Sequence, residues 1–327
     1  MIVDSPRLER LPTGRRLTWR TWRPGTPVDI ALEEEPGRHL ARVTAEHWEA
    51  TEPSGLLHPV FRLQTEASSV VRVAERRLPL EGTPNFRDFG GYWTREGRQV
   101  RWGRLYRSGQ LATLSEEDVE RLSALGLERV CDFRQQEEAL REPSRLPAGV
   151  SSLALAITPG STHGFMEQLV AGNPDPEQTA EFMLEVNRDL VLGQRDPWRQ
   201  VLLQLAEGES PLLVHCAVGK DRTGFAAALV LEVLGVPREI ILADYLLTAD
   251  YLCPDVELQR LQQRYGIDGD LIRGIRPMLE ARRSYLGTAL AVMDEHYGSV
   301  DHYVQDHLGL SSHLGQRLRE QLLYPLA

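Results

Sequence analysis

The run from Pro211 to Gly235 constrains the fold more than any other stretch of the chain. Leu212, Leu213 and Val214 are apolar without alternation, as in a short strand buried on both faces. Thr223 to Leu234 is apolar all round, as in a helix buried against a sheet, and Gly235 with Pro237 supplies its stop signal. His215-Cys216-Ala217-Val218-Gly219-Lys220-Asp221-Arg222 joins the two. A strand that turns directly into a helix can aim several backbone N–H groups inward, with the positive end of the helix dipole behind them. That is an anion site. Gly219 permits backbone conformations that a Cβ resists.

Cys216 sits at the centre of this cup. Inward N–H groups, Arg222 and Lys220 all favour its thiolate over its thiol. A thiolate there can attack phosphorus and split a hydrolysis into two displacements. The planar fork of Arg222 suits two phosphoryl oxygens, and Thr223 is placed to donate its hydroxyl to the sulfur. His215 is read as ordering the loop by hydrogen bonding rather than as a base. Ala217, Val218, Gly219, Lys220, Thr223 and Gly224 complete the expected substrate-binding turn.

The segment HCAVGKDRTG resembles the C-x5-R signature loop of the cysteine-dependent tyrosine and dual-specificity phosphatases. Its GKDRTG ending is similar to that of an atypical bacterial subgroup that acts on phosphotyrosine and, in several members, on phosphoinositides. Asn85-Phe86-Arg87-Asp88-Phe89-Gly90-Gly91, Leu105-Tyr106-Arg107-Ser108-Gly109, Cys131-Asp132-Phe133-Arg134, Ala243-Asp244-Tyr245-Leu246-Leu247 and Tyr297-Gly298-Ser299-Val300 are similar to further landmarks of that subgroup, in the same order. The resemblance covers about Leu78 to the C-terminus. It implies a cysteine-phosphatase α/β fold and a phosphomonoesterase working through a phosphocysteine at Cys216. It also implies Asp221 as the general acid, unless that carboxylate merely pairs with Arg222 or Lys220.

Asp132 is the alternative acid, unless it forms a salt bridge with Arg134 or Arg107. Arg134 either supports the site or is structural. Asn85, Arg87, Asp88 and Arg107 either touch the loop or the substrate or pin the start of the domain. Lys220 is read as a second cation at the rim, suited to the several phosphates of a phosphoinositide. Among His163, His296, His302, His307 and His313 no spacing suggests a metal site, and no cofactor is expected.

Composition narrows the partners. The chain has 327 residues, 42% of them hydrophobic, enough for a sizeable core, and a formal net charge of −10, which argues against non-specific nucleic-acid binding. Its three cysteines, Cys131, Cys216 and Cys253, suit a reducing compartment, with a protective Cys131–Cys216 disulfide left open. No secretory signal and no run of about 18 apolar residues is seen. A cytoplasmic location is therefore expected, with export by a non-classical route left open, and no stable membrane insertion.

Residues 1–78 differ from the rest. Alternation in Arg16 to Trp22 and, more loosely, Leu63 to Val73, with turn signals at Pro24-Gly25, Glu35-Pro36-Gly37 and Pro53-Ser54-Gly55, suggests a small antiparallel β-sandwich of fibronectin III or immunoglobulin-like type. Trp19, Trp22 and Trp48 are either its core or an exposed binding face, and the module either binds a protein partner or packs on the catalytic domain.

Residues 79–327 alternate strands with helices before an almost wholly helical C-terminal part. That pattern implies a mostly parallel sheet flanked by helices, with ligands at the strands' C-terminal ends. Strands are expected at Val100–Tyr106, Val130–Phe133 and Leu153–Ile157. A helix is expected to open at Ser115 with capping-box spacing and to close at Gly126. Thr158 to Leu192, with its glycine-rich flanks, is read as a lid. The leading expectation is a protein-tyrosine phosphatase with dual specificity open. The rivals are a phosphoinositide phosphatase, a non-catalytic phosphate-binding adaptor, and sulfur or arsenate chemistry on a similar cysteine loop.

Overall fold

The computed structural model describes residues 3–35, 38–51, 56–66, 70–158, 175–265 and 269–326. Two antiparallel sheets come first. Strands β1 (Val3–Leu11), β2 (Gly14–Thr21) and β5 (His47–Thr51) form one, in the order β1-β2-β5. Strands β3 (Val28–Leu32), β4 (His39–Val43), β6 (Phe61–Gln64) and β7 (Val71–Val73) form the other, in the order β4-β3-β6-β7. Alternation drives this packing. Val28, Ile30 and Leu32 of β3 and Phe61 and Leu63 of β6 point inward and are fully buried together with Leu17 and Val71. The three tryptophans divide: Trp19 is core, Trp48 packs at its edge, and Trp22 is 81% exposed at the turn after β2.

This sandwich meets the rest of the chain through a polar seam. The Arg72 N–H donates to Gln99 Oε1 at 3.1 Å, and Gln99 Nε2 and Trp102 Nε1 both donate to the Arg72 carbonyl. The Arg72 guanidinium lies 3.9 Å from the centre of the Tyr324 ring.

The sheet of the second part has the order β11-β10-β12-β9-β8, from β8 (Arg87–Asp88), β9 (Leu105–Ser108), β10 (Arg129–Asp132), β11 (Ser151–Ala154) and β12 (Leu212–His215). The β11-β10, β10-β12 and β12-β9 pairs are parallel; β8 pairs antiparallel with β9. Strand β12 is central and buried throughout, which explains its unbroken apolar run. The helix Asp221–Val233 leaves it, with every residue from Thr223 to Val233 buried.

Val100 to Tyr106 does not form one strand. Gly103 turns the chain with φ +74°, its N–H held by the Asp88 carboxylate at 2.6 Å, and β9 begins only at Leu105. The helix Glu116–Ser123 carries the full Ser115/Asp118 capping box. In the segment Thr158 to Leu192 read as a lid, residues 159–174 lie outside the described residues, and Pro176–Leu192 is a helix. Among the described residues no helix is long and apolar enough to cross a membrane.

Candidate functional site

Cys216 follows the last residue of β12, and Asp221 opens the next helix, so the loop lies at a C-terminal strand end beside a helix N-terminus. The carbonyls of His215, Ala217, Val218, Gly219 and Lys220 are engaged by groups outside the turn. His215 O accepts from the Phe133 N–H at 2.9 Å, and Ala217 O from the Gln110 N–H at 2.9 Å. Gly219 O accepts from Asn85 Nδ2 at 2.7 Å and Arg107 Nη2 at 3.0 Å. Val218 O lies 3.5 Å from Asn85 Nδ2, and Lys220 O accepts from the Gly224 N–H at 2.7 Å. With those carbonyls occupied, the Gly219 N–H donates to Cys216 Sγ at 3.2 Å, as expected of a turn that offers N–H groups to an anion.

Gly219 makes this geometry possible. Its φ is +74°, and a Cβ there would lie 2.5 Å from the Ser108 carbonyl group and 2.6 Å from the Gly109 nitrogen. Both are backbone, so they cannot step aside. Gly219→Ala is expected to lower kcat/KM on an aryl phosphate by roughly 100-fold, the scale of a 1 Å misplacement of reacting groups. A loss below about threefold in steady-state kinetics would show that the loop tolerates the methyl.

The donors that hold the loop are themselves held. Arg107 Nη1 donates to Asp244 Oδ2 at 2.7 Å, Tyr92 Oη to Asp244 Oδ1 at 2.9 Å, and Arg87 Nη2 to the Asp244 carbonyl at 2.9 Å. Arg87 also donates to Asn85 Oδ1, which turns Nδ2 of that amide toward Gly219. Asn85 has φ +61°, a conformation asparagine tolerates better than most residues. Burial alone would raise the Asp244 carboxyl, yet Arg87 and Arg107 bring it down to about 2. The opening motif thus divides its work. Asn85 touches the loop, Arg87 braces Asn85, and Asp88 pins the domain start by accepting from the Gly90 and Gly103 N–H groups. Burial pushes the Asp88 carboxyl up, against those two bonds.

Arg222 is half-buried at the loop's end. Its fork meets the Glu138 carboxylate twice, Nη1 at 2.8 Å and Nη2 at 3.1 Å, and Nη1 also donates to the Phe133 carbonyl. Burial opposes its charge, but Cys216 and Glu138 outweigh that and raise it. Glu138 was not among the expected site residues. It lies on the helix Gln136–Arg141, and its only signal in the sequence is the spacing of a second capping box with Gln135.

Asp132 is committed elsewhere. Burial would raise its carboxyl, but Arg134 Nε at 2.9 Å, Arg134 Nη2 at 2.7 Å and the Arg134 N–H hold it below the ordinary range. Arg134 in turn donates to the Glu142 carbonyl and Ser144 Oγ. The Asp132 carboxylate is thus engaged by Arg134, which braces it to the segment around Ser144. His215 is buried below it; desolvation lowers its ring to about 4, with Nδ1 3.4 Å from the Cys216 carbonyl. A neutral imidazole there fits the ordering role.

Two expectations for the loop are corrected. Lys220 is not a rim cation but 1% exposed. Its ammonium donates to the Glu280 carbonyl at 3.0 Å, lies 3.1 Å from Asp221 Oδ2 and sits over the Tyr285 ring. Burial lowers it, with Asp221 working the other way. The helical C-terminal part encloses a side chain that its immediate neighbours would leave in water. Thr223 does not donate to the sulfur either; its hydroxyl is buried without a partner among the described residues. Gly224 is likewise internal. A Cβ there would lie 2.9 Å from Cδ2 of the Tyr245 ring, so glycine makes room for that ring. Ala217 and Val218 alone are partly exposed between Cys216 and Lys220.

Cys131 and Cys216 are both free and share one core cluster; burial pushes the Cys131 thiol up to about 12. Among the described residues no group of three or more His, Cys, Asp or Glu is arranged to hold a metal ion.

The sequence is similar to those of known proteins. A protein of Cupriavidus necator that bears a tyrosine-protein phosphatase name is 39% identical over 233 residues, which is 71% of this chain and 84% of that one. The triple specificity protein phosphatase PtpB of Mycobacterium tuberculosis is 32% identical over 288 residues, 77% of this chain and 100% of PtpB. A tyrosine-protein phosphatase of Nostoc commune is 27% identical over 223 residues, 66% of this chain and 73% of its own. The sequence profile of the tyrosine phosphatase family matches residues 78–324, a span that holds the loop around Cys216, and this chain belongs to the tyrosine phosphatase family.

Proposed function

We propose that this enzyme hydrolyses phosphomonoesters, phosphotyrosine first among them, through a phosphocysteine on Cys216. The observation that supports this best is the Gly219 N–H donating to Cys216 Sγ in a turn whose Gly219 carbonyl is held by Asn85 and Arg107. In the first step sulfur donates an electron pair to phosphorus. The ester P–O bond breaks, its pair goes to the leaving oxygen, and Asp221 supplies the proton that oxygen needs. Water then attacks the phosphocysteine, and the Asp221 carboxylate takes up a water proton as the S–P bond breaks. Residues 79–327 carry this chemistry, and residues 1–78 form a module packed against them.

A substrate range wider than phosphotyrosine is the second reading. The name of the mycobacterial relative, a triple specificity phosphatase, favours it. Lys220 does not, since its ammonium is already engaged inside the protein.

Phosphate release from phosphotyrosine, phosphoserine and phosphothreonine peptides and from phosphoinositides, with and without chelator, tests the reading. Release fastest from phosphotyrosine and indifferent to chelator is expected; release from none, or release abolished by chelator, would sink it. Asp221→Asn is expected to slow phenyl phosphate by roughly 100-fold, the lower end of general-acid catalysis, and aryl phosphates with acidic phenols far less. Equal slowing of both would remove Asp221 from the acid role.

A further inference from the structure

The motif Ala243-Asp244-Tyr245-Leu246-Leu247 contributes two adjacent side chains to the site from the helix Arg238–Leu246. Asp244 anchors the arginines that hold the loop. Tyr245 does something different. Its hydroxyl donates to Asp221 Oδ1 at 3.2 Å, and its ring is buried against Gly224. From the other side Asn187, fully buried on the helix Pro176–Leu192, places Nδ2 3.5 Å from the same oxygen. The amide of Asn187 cannot present its carbonyl instead, because Nδ2 also donates to the Met183 carbonyl at 2.9 Å. One oxygen of the carboxyl therefore faces two neutral donors, and Oδ2 faces Lys220.

We propose that Tyr245 and Asn187 are positioning residues for the general acid: they anchor Oδ1 of Asp221 and leave Oδ2 as the oxygen that exchanges the proton. The proposal rests on the reading of Asp221 as the acid. A proton cannot sit on an oxygen already facing two donors without displacing one of them. On Oδ2 it needs only Lys220 to turn its ammonium to the Glu280 carbonyl, which it already contacts. In the first step the O–H bond at Oδ2 breaks as the leaving oxygen takes the proton. In the second, Oδ2 takes a proton back from the attacking water. Oδ1 stays bound through both, so the carboxyl does not rotate away between half-reactions. Burial holds the Tyr245 hydroxyl well above the ordinary phenol range, so it stays a donor throughout.

The test is a leaving-group comparison with the full chain. Tyr245→Phe removes one oxygen from a ring that stays packed, and Asn187→Leu, an independent second variant, removes the amide at similar volume. Each is expected to lower kcat on phenyl phosphate roughly tenfold, a fraction of what a positioned acid contributes, with KM within about twofold. Each should leave kcat on an aryl phosphate with an acidic phenol almost unchanged. In an Asp221→Asn background Tyr245→Phe should cost nothing more, because the two act as one unit. Equal slowing of both substrates by both variants, or the full tenfold loss persisting beside Asp221→Asn, would make the two side chains merely structural and overturn the proposal. Should Asp221→Asn alone slow both substrates equally, the acid reading itself falls, an outcome read from that single variant.

Discussion

Cys216→Ser removes turnover of an aryl phosphate, by roughly 10⁴-fold or more, the range seen when a hydrolytic nucleophile is deleted from an otherwise intact site. The serine hydroxyl occupies the same place but is not ionised near neutral pH. Neither group beside it makes up for this: burial makes His215 a weaker base than an ordinary imidazole, and Asp132 is engaged by Arg134. The cup itself does not depend on the sulfur. Its carbonyls are held by Asn85, Arg107, Gln110 and Phe133, and Arg222 keeps its partner Glu138. The serine variant is therefore expected to bind a phosphotyrosine peptide with an affinity close to the parent's KM, measured by calorimetry. Turnover within tenfold of the parent would dismiss the phosphocysteine mechanism.

Asp244→Asn is expected to be the most damaging change away from the loop. The carboxylate is buried and meets Arg107 directly, with Arg87 Nε 3.5 Å away. Neutralising it leaves two buried guanidinium groups without their counter-charge, a loss on the order of 3–5 kcal/mol. The same change loosens Arg107 from the Gly219 carbonyl, so activity falls with stability.

The pH dependence gives a second handle. The carboxyl stands at about 2 in the folded protein against an ordinary 3.8, so the folded state favours its ionised form. Its contribution is fully present above about pH 4 and is lost as the pH falls toward 2. Over that window the pair of values corresponds to about 2 kcal/mol. Urea denaturation at several pH values should show the gap between parent and variant narrowing by about that amount from pH 5 to pH 2. A gap independent of pH would mean that the carboxylate's charge is not what stabilises the fold.

Much of the site was legible because its chemistry is local. Cys216 and Arg222 carry their meaning in their spacing, and the apolar runs on either side state that a buried strand enters the loop and a buried helix leaves it. The β-rich character of the first part was legible for a similar reason, since period-two alternation such as that of Arg16 to Trp22 puts alternate residues on one face whatever they pack against. The strand expected from Val100 was misplaced because a periodic apolar pattern does not reveal that Gly103 is tied to Asp88. Glu138 is not legible in the sequence, because nothing near it says that its carboxylate faces Arg222, which lies more than eighty residues later.

What the sequence determined by itself is the strand, the turn and the helix, with a sulfur and a guanidinium at the spacing of a phosphate cup. Those features arise from local backbone preference and from burial of contiguous apolar residues. Which way the loop's carbonyls face was decided only by the tertiary structure. The Gly219 carbonyl, for one, is held by Asn85 and Arg107, more than a hundred residues earlier in the chain. Enclosure decided the fate of Lys220 in the same way. A lysine next to a glycine turn reads as solvated until Glu280 and Tyr285 arrive from a distant segment to cover it. Hydrogen-bond partners and burial are properties of what packs together, and in this protein they set the backbone geometry on which the cysteine depends.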